Sequence, residues 1–153
     1  RLYSDINLYK NEIIVTQYLS DRDMQNLHCI ADCFVCVSHG ESFSIPAFEA
    51  MCYGNTPICS KEGGPATFVN KEDKNTGWLV DGVYTICDHS NPAIPESATG
   101  KQGWFTPDEI ELKRAMRFYF DNRDSMDRNL GRQHAFNFDI KVIGKKMLEE
   151  INV

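Results

Sequence analysis

The sequence predicts an α/β domain: a parallel sheet with helices on both faces, closed by a helical C-terminal cap. Three observations carry this. Short apolar runs alternate with helix-patterned stretches over residues 13–80. The run at residues 33–38, CFVCVS, is apolar on both faces, as strands of buried parallel sheets are. The helical stretch behind it has Pro46 at its first turn and Gly54 just past its end, the expected punctuation. Crossovers of one hand bring the strand C-termini to one edge, and ligands of open sheets bind there.

Taken in order, residues 13–16 (IIVT) are a β-branched run and predict a first strand. Ser20 predicts a helix cap, with Asp21 and Asp23 in the first turn and Met24, Leu27 and Ala31 at helical spacing. His28 lies on the edge of that stripe and reads as a packed or boundary histidine. After CFVCVS comes the polar loop HGESFS, then the short helix PAFEAMCY at residues 46–53. Residues 56–59 (TPIC) predict a further strand, Lys61–Gly64 a turn, residues 65–69 a short helical piece, and residues 76–80 (TGWLV) another strand. Residues 1–82 are thus the α/β core. Residues 83–105 carry Asp88, Ser90, Asn91, Pro92, Pro95, Gly100 and Gly103 without a period and predict a loop excursion. Residues 106–153 predict a helical cap: Thr106 as N-cap, Pro107 at the first position, Glu109 completing a capping box, then helices over Ser125–Phe136 and after Asp139.

The chain has 153 residues, enough for one domain with its own core. Its formal net charge is −6 and its Lys and Arg are not clustered, which argues against a duplex-binding surface. Single bound phosphates stay compatible with that charge, because main-chain amides can hold them. No apolar run approaches a membrane span, and no basic leader with an apolar core is visible. The first residue is Arg1, so the chain reads as one truncated domain of a longer protein.

The six cysteines read as small buried hydrophobes of a reducing, cytoplasmic compartment. Cys33 and Cys36 have C-x-x-C spacing, but on a strand residues three apart point to opposite faces. They are therefore not assigned as a metal or redox pair, and no other metal ligands are assigned. His89 and His134 have no partners at ligand spacing, Trp78 and Trp104 read as packing residues, and Asp81 and Asp88 as loop acids.

The stretch with chemistry in it is residues 39–50, HGESFSIPAFEA. It leaves an apolar strand and enters a helix, where main-chain N–H groups and a positive helix end meet an anion. Gly40, Ser42 and Ser44 are small enough for a ligand to approach the main chain. Glu41 stands at the loop mouth. Glu49 lies about one turn into the helix, and its side chain leans back toward the N-terminus. A carboxylate accepts two hydrogen bonds at once, which suits a vicinal diol such as that of ribose or a hexose. His39 reads either as a contact to such a ligand or as an exposed loop residue.

Residues 31–69 resemble the C-terminal half of group 1 glycosyltransferases, which have the two-domain GT-B architecture with Rossmann-like halves. The matching residues are Ala31-Asp32, Ser38, Glu41, Phe43, Pro46, Glu49-Ala50-Met51, Gly54, Pro57, Gly63-Gly64 and, later, Thr76-Gly77-Trp78-Leu79-Val80. The likeness is close over residues 12–80 and loose over 107–151. It implies transfer of a sugar from a nucleotide-diphosphate sugar to an acceptor, usually with retention and without a metal. It implies no cofactor beyond that donor. Glu49 would hold the ribose hydroxyls. Glu41, with Ser42 and the amides of Phe43, Ser44 and Ile45, would meet the sugar and diphosphate. Leu19, beside Tyr18, would pack near the base.

Several positions depart from the family pattern. Ser44 stands where a Gly is usual, Cys52 where Ala is, and Thr67 where an acid is. The basic residues that grip the diphosphate belong upstream of Arg1, as does the half that binds the acceptor. The chain alone is therefore expected to be inactive, and the full-length protein to be open to peripheral membrane association. Lys61 reads as a solvated turn lysine. The alternative reading is a catalytically inactive Rossmann-like binding or scaffolding domain.

Overall fold

Thr56–Ser60 is buried along its whole length, so every side chain of this strand meets protein on one face or the other. It is the centre of the molecule, a computed structural model that describes residues 13–87 and 101–151. In chain order the elements are α1 (Asp21–Ile30), β1 (Cys33–Cys36), α2 (Ile45–Cys52), β2 (Thr56–Ser60), α3 (Pro65–Phe68) and β3 (Trp78–Val80). They are followed by β4 (Gly82–Ile86), β5 (Gly103–Pro107), α4 (Glu109–Asn122), α5 (Arg128–Ala135), a 3-10 turn (Phe136–Phe138) and α6 (Ile140–Ile151).

The strand order is β1-β2-β3, and both pairings are parallel, with Cys33 opposite Thr56 and Ile58 opposite Trp78. Alternation sorts the side chains onto two faces. Phe34, Cys36, Cys59 and Leu79 face α2, α3 and α5, packing with Met51, Phe68 and Ala135. Cys33, Ile58, Trp78 and Val80 face α4, packing with Leu112, Ala115 and Tyr119. The domain is thus a Rossmann-like three-layer α/β unit, as the apolar runs predict. Cys33 and Cys36 do lie on opposite faces, and every cysteine in the described residues is a free thiol.

Ser20 caps α1 as expected, its hydroxyl accepting from the Asp23 N–H at 3.2 Å. Near the N-terminal ends of the strands His28 is packed, 5% exposed, with its ring stacked on Tyr53 at 5.8 Å. Gly54 closes α2 at φ +79°, a left-handed conformation that glycine adopts without strain.

Three expectations need correction. Residues 13–16 form no strand. Ile13 is 93% exposed, and among the described residues β1 pairs only with β2. A β-branched run is a strand only when a neighbouring backbone accepts it.

The excursion at 83–105 is not simply a loop. Its two ends pair antiparallel as β4 and β5, with Gly82 opposite Pro107 and Ile86 opposite Gly103. Residues 88–100, including Asp88, His89, Ser90 and Asn91, lie outside the described residues.

Thr106 does not cap α4. It is held in the ribbon opposite Val83, with its hydroxyl 2.7 Å from that of Thr85. Asp108 caps instead, accepting from the Glu111 N–H at 2.8 Å. Helix α5 starts at Arg128 rather than Ser125, because Asp127 caps it, and α6 starts after Asp139 as expected.

Candidate active site at the C-terminal edge of the sheet

β1 ends at Cys36, and residues 37–44 cross the C-terminal edge of the sheet before α2 begins. Main-chain contacts hold this loop at several points. The Ser60 hydroxyl donates to the Ser38 carbonyl at 2.6 Å. The Gly64 N–H donates to the Glu41 carbonyl at 3.1 Å.

The Gly63–Gly64 turn, which follows β2, is pressed against the loop backbone. A Cβ on Gly64 would stand 1.9 Å from the Ser42 carbonyl oxygen and 2.3 Å from the Phe43 Cα. One on Gly63, at φ +105°, would stand 2.6 Å from the Glu41 carbonyl oxygen. The turn is glycine because two backbones meet there.

Phe43 points inward, its ring 5.4 Å from Phe48 and 5.2 Å from Phe68. Ser44, the N-cap of α2, is buried at φ 65°, ψ 67°, in the left-handed region. The glycine usual at this place would sit there freely, whereas Ser44 holds it with strain. Its hydroxyl lies 3.4 Å from the Cys36 Sγ rather than on the helix. The Ser44 carbonyl receives the Ala47 and Phe48 N–H groups at 3.1 and 3.0 Å.

Among the described residues, the N–H groups of Phe43, Ser44 and Ile45 donate to no protein acceptor. The next residue, Pro46, has no N–H. Three main-chain donors at the start of a helix therefore remain for an anion.

Glu41 is half-buried, and its Oε1 accepts from the Ser42 N–H at 3.0 Å. Ser42 is exposed beside it, and Ile45 is 63% exposed at the first turn of α2. Glu49 is exposed on α2, and its side chain makes no hydrogen bond or ion pair among the described residues. Both carboxylates are felt by neighbouring thiols. Burial, then Cys36, then Glu41 push Cys59 up to about 12. Burial and then Glu49 raise Cys52.

Leu19 is half-buried and lines a groove of about 430 Å³ with Asp23, Asn26, Leu27 and Ile30. None of the loop residues Glu41–Ile45 lines that groove. Lys61 is engaged with Asp81 at 3.1 Å, on the turn beside the loop. Among the described residues, no group of three His, Cys, Asp or Glu side chains gathers where a metal could bind. No helix among them is long and apolar enough to cross a membrane.

The β4–β5 ribbon is the part of this site that sequence reasoning missed. The Phe105 N–H donates to the His39 carbonyl at 3.1 Å, and the His39 Nδ1 lies 2.9 Å from the Phe105 carbonyl oxygen. The His39 ring stacks on Trp104 at 4.2 Å and 12°. On the other strand, the Tyr84 hydroxyl donates to Glu62 at 3.2 Å. A signal was present in the β-branched and aromatic residues of GVYTI and GWFTP. The Gly- and Pro-containing stretch between them obscured it.

Residues 3–86 match the family described as Glycosyl transferases group 1. A Bacillus subtilis (strain 168) protein named "Putative glycosyltransferase YtcC" is 35% identical over 74 residues, which are 48% of this chain. That stretch is 18% of the relative's own length, so the chain spans a minor part of it. The match takes in the strand, loop and helix that carry Glu41 and Glu49, together with the Gly63–Gly64 turn. On that extent of similarity, and with the α/β architecture it requires, the chain belongs to the group 1 glycosyltransferases.

Proposed function

We propose that the C-terminal edge of this sheet binds a nucleotide-diphosphate sugar, and that the protein passes the sugar to an acceptor with retention of the anomeric configuration. The observation that carries the reading is the row of uncommitted N–H groups at Phe43, Ser44 and Ile45, with one carboxylate before it and one after it. The demanding step is departure of a nucleoside diphosphate from an oxocarbenium-like sugar. Donors aimed at the developing phosphate charge lower that barrier, because they need no reorganisation as the bond breaks. The N-terminal dipole of α2 adds to them.

Glu49 accepts from the two ribose hydroxyls, and its carboxylate, without a partner among the described residues, leaves both oxygens for that task. Glu41 accepts from hydroxyls of the sugar and orients it; it is not a covalent nucleophile. Leu19 and Tyr18 pack near the base. Retention and the GT-B partner half rest on family membership alone. The acceptor is held by a further domain of the full-length protein.

Calorimetric titration with UDP-, GDP- and ADP-sugars tests the reading in the full-length protein. Glu49→Ala should weaken the preferred donor by roughly tenfold or more, the loss of one to two good hydrogen bonds. Unchanged affinity would remove the ribose assignment. A glycosyl group trapped on Glu41 would contradict the orienting role.

A further inference from the structure

We propose that His39 is a positioning residue: it latches the loop bearing Glu41 to the β4–β5 ribbon, and the ribbon thereby sets where the donor-binding main chain lies. This rests on the donor site described above. It goes beyond that site by giving a task to residues outside the family pattern.

Three contacts converge on His39. Its carbonyl accepts from the Phe105 N–H at 3.1 Å. Its ring nitrogen Nδ1 is 2.9 Å from the Phe105 carbonyl oxygen, and because a carbonyl only accepts, the proton sits on Nδ1. Its ring lies nearly parallel to Trp104 at 4.2 Å. Residue 39 thus meets β5 much as a strand residue would, although it belongs to the loop.

The ribbon is itself fixed. Phe105 is 4% exposed, its ring 5.8 Å from Tyr84, and the Asp108 N–H donates to the Asp81 carbonyl at 2.7 Å. Two residues beyond the latch, Glu41 is tied to Gly64 through its carbonyl. Gly40 lies between the two ties, and a Cβ there would meet nothing within 4 Å. Residues 39 to 41 are consequently held at both ends and open in the middle. Loss of the His39 tie frees the upstream end, and displacement of about 1 Å at a binding loop is enough to matter.

The experiment has two readouts. In the unliganded protein, exchange of the Phe105 and Gly64 amide protons, which donate to the His39 and Glu41 carbonyls, should quicken by roughly fivefold or more in His39→Ala and in Trp104→Ala, as a local tie is lost. In the full-length protein, donor affinity should fall roughly tenfold in His39→Ala, the scale of one hydrogen bond. His39→Asn, whose side-chain amide can donate where Nδ1 does, should recover most of both. Exchange and affinity unchanged in His39→Ala overturn the proposal. So does faster exchange without loss of donor affinity, or an Asn variant no better than Ala. If the wild-type protein binds no nucleotide sugar, the donor reading fails, and the exchange readout still decides whether the latch exists.

Discussion

Gly64 makes the sharpest single-residue statement about the site. A methyl group there would fall 1.9 Å from the Ser42 carbonyl oxygen, and main chain cannot step aside as a flexible side chain does. Gly64→Ala should therefore lower stability by about 2 kcal/mol, in the range of overpacking, and displace the loop, which on the proposed donor reading also weakens the donor. Gly40→Ala is the contrast: with nothing within 4 Å of the new Cβ, stability should stay within about 0.5 kcal/mol. Thermal melts of the two variants check the pair. Cys59 supplies a pH dependence. Its thiol ionises near 9.0 when free and is pushed up to about 12 in the fold. Between those values the unfolded chain releases a proton that the folded chain keeps. The contribution is therefore full below pH 9 and is lost as pH rises toward 12, by up to about 1.4 kcal/mol per pH unit. Tyr119, also raised by burial, has the same sign. Urea midpoints measured at about pH 7 and about pH 10 should fall with pH, and Cys59→Ala should flatten the fall.

Among the elements, α4 tests how helix starts are chosen. Asp108 accepts from the Glu111 N–H, so Asp108→Ala should cost about 1 kcal/mol, read from the melting temperature. Thr106→Ala should cost no capping energy. The capping pattern at Thr106-Pro107-Asp108-Glu109 was legible, but its register was not. Two residues at its start were claimed by a ribbon whose other strand is about twenty positions away. The parallel strands were legible because their apolar runs follow from burial on both faces, a property each strand displays by itself. β4 and β5 were not, because an antiparallel ribbon is defined by its partner and only weakly by its composition. Residues 13–16 failed in the opposite sense, with strand composition and no adjacent ladder among the described residues. At the candidate site, the placement of Glu41, Ser44 and Glu49 around a loop-to-helix transition was legible. The tie between His39 and Phe105 was not, since nothing local in HGES announces a partner 66 positions on.

At the scale of the molecule, two layers of helices are locked onto one short sheet, and a few polar ties set their relation. Tyr119 is 1% exposed beneath the sheet, and its hydroxyl donates to the Lys74 carbonyl at 2.8 Å, joining α4 to the turn before β3. Tyr119→Phe should cost about 1–3 kcal/mol, because the cavity keeps its shape while an acceptor is left bare. Denaturant unfolding should show a lower midpoint with an unchanged slope. On the other face, Arg128 reaches Asp32 at 2.5 Å and the Cys29 carbonyl at 3.1 Å, tying α5 to the segment that enters β1. The frame that carries the candidate edge is thus anchored far from that edge. The meeting of Gly63–Gly64 with residues 41–43 has a consequence for how such a domain diversifies. Where peptide unit rests on peptide unit, the seat has no memory of which side chains the rim displays. Exchanging the outward groups at positions 40 and 42 changes what the rim presents while leaving the foundations where they were.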